Sequence, residues 1–155
     1  MALVIFFVPD PAKGVDEMVR VVRPGGLVAA YAWDMFGGGF PGEPIHAEMR
    51  AMGLNYLRPP RPEASRIDML RELWTDAGLD TVETRDITVR RTFADFDDFW
   101  TTTLTGSSIG PTIAAMPASD AELLKARVRE NRPPDAAGRI TYESRANAIR
   151  GRVPA

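Results

Sequence analysis

Two stretches carry residue types that could do chemistry. The first is Gly37-Gly38-Gly39-Phe40-Pro41-Gly42, which follows an apolar run and matches the pattern G-x-G-x-x-G. Such glycines let a backbone approach a pyrophosphate at a helix N-terminus. Here Pro41 and Pro44 each remove an amide from the cradle. The acid expected about 20 residues further on would be Glu63, which follows the proline-rich Arg58–Pro62 instead of a second strand. The run therefore reads as a mobile loop on the substrate side of a sheet, because ligands of open α/β sheets bind beyond the carboxyl ends of the strands. The second is His46, the one histidine of the chain. Its imidazole could serve as a general base, since such rings titrate near neutrality. A lone histidine near a helix start is more often a capping or surface residue, and spacing names no carboxylate partner for it.

Composition removes whole classes of function. The chain has 155 residues, the length of one domain. Lys and Arg number 19 against 21 Asp and Glu, a net charge of −2, which argues against a nucleic-acid surface. Arg127, Arg129 and Arg132 read as a solvated helix face diluted by Glu122 and Glu130. With no cysteine and one histidine, zinc–thiolate centres, disulfides and any two-histidine site are excluded, and no metal is expected. The longest apolar run, Ala2–Val8, is too short to span a bilayer and lacks the flanks of a signal peptide. A cytoplasmic protein without a membrane partner is the expectation.

The elements that would position these residues follow from periodicity. Ala2–Val8 reads as a strand buried on both faces or a buried turn of helix. Asp10-Pro11 starts a helix with Ala12, Val15, Met18, Val19 and Val22 on one face, ending before Pro24-Gly25-Gly26. Leu27–Trp33 is apolar throughout, the mark of a strand covered on both sides. His46–Leu57 is expected as a short helix. Ser65 with Asp68 forms a capping box for a helix that stops at Gly78, and Ser119 with Glu122 opens another to about Asn131. Thr81–Phe93 alternates in part, with Val82 out of phase and a bend or bulge expected near Arg85-Asp86. Phe96, Phe99 and Trp100 are core positions at helical spacing, and Arg139–Arg150 reads as a last strand. Loops are expected at Phe36–Pro44, Arg58–Pro62, Gly106–Pro117 and Pro133–Gly138. The class is α/β with an antiparallel pair at one edge.

Phe7-Val8-Pro9-Asp10-Pro11, then Glu17 to Gly26 (EMVRVVRPGG), then Trp33, resembles the class I S-adenosylmethionine-dependent methyltransferases, most closely the ubiquinone and menaquinone biosynthesis branch. The resemblance implies a Rossmann-like sheet of which this chain supplies the C-terminal half: strands five, seven and six with flanking helices, strand seven running antiparallel between the other two. It implies one partial domain over residues 1–155, with a lid-like insertion at 36–62. Ala2 and Leu3 match the stretch beside the methionine part of the cofactor. Trp33, Asp34, Met35, Phe36 and Phe40 match the acceptor side, where aromatics could line an apolar pocket for a small-molecule acceptor or simply pack as core and lid. The family's G-x-G loop and its ribose-binding acid match nothing in this chain. S-adenosylmethionine is thus the family's cofactor, and the chain alone is expected neither to bind it nor to be active. Two alternatives stand beside this: a non-catalytic dimerising or interaction domain, and one half of a split methyltransferase. An apolar, uncharged segment such as Ala2–Val8 templates pairing with another chain, so a homodimer, or aggregation, is expected, with residues 2–8 and 27–33 at or near the contact.

Overall fold

The computed structural model describes residues 1–106 and 109–155. Helix α1 (Pro11–Val21) begins as expected: Asp10 is its cap, accepting from the Lys13 amide, and Pro11 fills the first turn. Strand β1 (Leu27–Trp33) follows, then α2 (Glu43–Ala51), α3 (Ile67–Asp76), β2 (Asp80–Phe93), α4 (Phe96–Leu104), α5 (Ile109–Ala114), α6 (Ala118–Glu130) and β3 (Ile140–Arg152). Gly78 has φ +74°, the left-handed conformation that ends α3.

The fold is mixed α/β. Its three strands lie in the order β1-β3-β2, so the last strand of the sequence sits between the other two. β3 is antiparallel to β1, with Leu27 opposite Arg152 and Trp33 opposite Ala146. Cross-strand contacts fix β2 against β3: Glu83 holds Arg150, Arg90 holds Glu143, and the Thr92 and Thr141 hydroxyls meet at 2.9 Å. As β2 advances, β3 recedes by the same number of residues, so this pair is antiparallel as well. That constant step rules out the bulge, though not the bend, expected at Arg85-Asp86. No residue is inserted there, and the phase shift of Val82 reflects which side chains are covered along the strand.

The chain divides into two compact units. The first comprises Met1–Phe40, Pro59–Thr88 and Ser144–Ala155. Its core gathers Ile5, Phe6, Val15, Val28, Ala30, Ala32, Leu70, Trp74, Leu79 and Ile149. The Trp74 indole N–H donates to the Val28 carbonyl at 3.1 Å, satisfying the ring's polar atom inside this core. The second comprises Pro41–Arg58 and Val89–Glu143. It buries Ile45, Met49, Phe93, Phe96, Phe99, Trp100, Leu124 and Val128, with the Phe93 and Phe99 rings edge to face. Glu48 of α2 accepts from Arg127 and Asn131, at α6 and its end, at 2.8 and 2.6 Å.

Several local expectations are corrected. Ala2–Val8 is not a strand: Ala2 makes a single parallel bridge to Tyr31, and Ile5–Phe7 forms a 3-10 turn that buries Ile5 and Phe6. Seven apolar residues suit either form, and the turn wins because it delivers two adjacent side chains to one core. β1 is covered on one face only; Val28, Ala30 and Ala32 are buried, whereas Leu27 and Tyr31 are 54% and 40% exposed. Neither capping box forms. Ser65 donates to the Pro62 carbonyl inside a 3-10 turn, Pro62–Ser65, and Ser119 lies inside α6 behind Pro117. The second helix runs Glu43–Ala51 because Pro44 suits a first turn better than the residue before one. Of the loop expected at Gly106–Pro117, Ile109–Ala114 is helical, and the part at 107–108 lies outside the described residues.

Candidate functional site

In the first unit, the carboxyl end of β1 turns sharply at Asp34. Its carboxylate is nearly buried and accepts from the Gly37 amide at 2.8 Å and from Arg145 Nε and Nη2 at 3.1 and 2.5 Å. Arg145 also donates to the Gly37 carbonyl at 3.2 Å. The backbone repeats the clamp: Asp34 N donates to Arg145 O, Arg145 N to Gly39 O, and Gly39 N to Asp34 O, each at 2.9 Å. The hydrogen bond from Asp34 raises the pKa of the Arg145 guanidinium further above its already high value.

This clamp explains the glycine run. A Cβ on Gly37 would sit 2.1 Å from Asp34 Oδ2, and one on Gly39 would sit 2.4 Å from the Arg145 carbonyl oxygen. Both positions need glycine for close approach, not for a phosphate. The Gly37 and Gly39 amides are engaged with Asp34, and Gly39 joins the loop to Arg145 of β3. Trp33 packs against the core of this unit and Met35 is half-buried. Phe36 is 57% exposed, with the Arg66 guanidinium 5.7 Å from its ring centre. Phe40 is half-buried. Trp33, Asp34, Met35, Phe36 and Phe40 thus share one strand end and its loop, with Asp34 as the organising residue.

Ala2 and Leu3 lie along the other edge of β1. The Leu3 amide donates to Tyr31 O at 2.8 Å, and Tyr31 N donates to Met1 O at 3.2 Å. Leu3 adopts φ +55°, a strained conformation for a side chain of this kind. S-adenosylmethionine requires open backbone donors beside its methionine part and an acid for its ribose hydroxyls. The Leu3, Gly37 and Gly39 amides are all engaged within the fold. These three amides are therefore not open donors.

His46 belongs to the second unit. Glu43, His46 and Arg50 recur on one face of α2. The His46 ring is 4% exposed and stacks on Tyr56, with centroids 4.2 Å apart and planes 25° from parallel. Burial pushes its pKa down to about 4, Arg50 and Arg58 adding to the shift and Glu43 opposing it. The ring is therefore neutral at pH 7 and a weak base. Arg50 donates to Glu43 and, at 3.1 Å, to Tyr56 Oη; Arg58 donates to the same oxygen. Sequence reasoning missed Arg145, which is 111 residues from Asp34, and the group Tyr56, Arg50 and Arg58. The one available signal was the shared face of Glu43, His46 and Arg50.

Among the described residues no group of three His, Asp or Glu is placed to hold a metal, and no helix is long and apolar enough to cross a membrane. No family model matches the chain, and no curated protein matches it. Among solved structures, a "putative methyltransferase" of Bacillus halodurans is 15% identical, over 99% of this chain and 68% of its own, with a TM-score of 0.48.

Proposed function

We propose that the chain forms the C-terminal, acceptor-side part of an S-adenosylmethionine-dependent methyltransferase domain that acts on a small molecule. The carrying observation is strand order: the final strand β3 returns antiparallel between β1 and β2. That is the arrangement of strands five, seven and six in the class I family, whose R-P-G-G turn and D-P helix start the sequence resembles. The parallel bridge of Ala2 to Tyr31 lies on the side of β1 where strand four of that family would run. In this reading Ala2 and Leu3 mark the edge at which the cofactor-binding strands join, supplied by another segment or another chain. In the same reading Asp34 and Arg145 fix the end of β1 that would face the acceptor.

The experiment is methyl transfer from labelled S-adenosylmethionine to small phenols, amines and carbon acids, with the chain joined to a half carrying the G-x-G loop. Label in the organic product is expected, and its loss in Asp34→Asn. Failure of every acceptor class, with the joined protein folded, overturns the proposal.

A second reading has its own observation. Leu27 and Tyr31 leave one side of β1 apolar and open, the kind of surface that a second copy covers. On this reading the chain is a homodimerising module without catalysis.

A further inference from the structure

The second unit holds a phenol in an unusual setting. Tyr56 Oη receives three N–H groups from two guanidiniums: Arg50 Nη1 at 3.1 Å, Arg58 Nη2 at 2.8 Å and Arg58 Nε at 3.3 Å. A neutral phenol oxygen offers two lone pairs and needs an acceptor for its own proton. Three converging donors exceed those two lone pairs. A phenolate, which only accepts, matches the arrangement. We propose that Tyr56 is an acidified tyrosine, its oxygen held as an acceptor and nucleophile by Arg50 and Arg58.

The groups facing it are few. From α2 come Arg50, whose charge is partly offset by Glu43, and the neutral ring of His46 stacked on the phenol; from its own segment comes Arg58. Burial alone would raise the phenol's pKa. The hydrogen bonds from Arg58 and Arg50 outweigh it and bring the pKa below the ordinary value of 10.0. This site does not depend on the methyltransferase reading.

Two measurements on the intact chain test it. In an ultraviolet titration of the phenolate band, Tyr56 ionises below pH 10, a step that disappears in Tyr56→Phe and moves upward in Arg58→Met. A low step that survives in Tyr56→Phe, or no step below 10, overturns the proposal. For the wild type, a benzenesulfonyl fluoride probe forms an Oη–sulfur bond as fluoride leaves, and peptide mass spectrometry locates the label. Preferred labelling of Tyr56 over Tyr31, which is 40% exposed, is expected because the phenolate is the reactive form. Labelling ordered by exposure, with Tyr31 first, contradicts it.

Discussion

Acidification should destabilise the second unit through one side chain. The folded pKa of His46 is depressed from 6.5 to about 4, because burial of its ring disfavours the imidazolium. Between those values the unfolded chain binds a proton that the folded chain does not. Stability is therefore complete above pH 6.5 and lost as pH falls towards 4. The whole window corresponds to about 3 kcal/mol, of which about 2 kcal/mol is lost by pH 5. The ring is 4% exposed, so solvent screening does little to reduce this. The exposed carboxylates with lowered values, Asp10, Asp68 and Asp135, titrate below their ordinary 3.8 and act outside this window. The assay is urea unfolding across this range for the wild type and for His46→Phe, which keeps a ring on Tyr56 but cannot be protonated. The wild type should lose about 2 kcal/mol more than the variant by pH 5. Equal losses in the two proteins would refute the reasoning.

Asp34→Asn should cost about 1–3 kcal/mol in chemical unfolding, since it leaves Arg145 and the Gly37 amide with a weaker acceptor. Hydrogen exchange should find the Gly37 and Gly39 amides protected in the wild type and faster in that variant; rapid exchange in both would restore the mobile-loop view. Leu27→Glu, at an exposed position, should leave the fold intact and shift a concentration-dependent dimer to monomer in sedimentation. A wild type that stays monomeric at high concentration would remove the homodimer reading. Ile5 is unsuited to that test, because it is fully buried and a charge there would unfold the first unit.

Local signals were legible where a single residue decides. Asp10-Pro11 capped α1, Gly78 ended α3, and Leu27–Trp33 formed β1 to the residue. Phe96, Phe99 and Trp100 went to a core as their spacing implied. Burial was less legible, because an apolar strand reads the same whether one face or two are covered. Ser65 and Ser119 matched a capping pattern, yet the chain path put Ser65 in a 3-10 turn and Ser119 inside a helix. The candidate site was half legible. Asp34 drew attention by its place at a strand end, as an acceptor-side residue; its ion pair comes from Arg145 of the last strand, and no local pattern links residues so far apart. His46 drew attention as the one histidine, but its burial and its stacking on Tyr56 come from packing that periodicity does not encode.

Calorimetry with S-adenosylmethionine tests the central claim most directly. The titration is made into the 155-residue chain alone and into the chain joined to the half that carries the G-x-G loop, encoded upstream or as a second polypeptide. Micromolar binding requires about 8 kcal/mol, and the amides that could contribute here are engaged with Asp34 and Tyr31. The account predicts no saturable micromolar binding by the chain alone and a saturable isotherm for the joined protein. Saturation by the chain alone, or none by the folded joined protein, would contradict it.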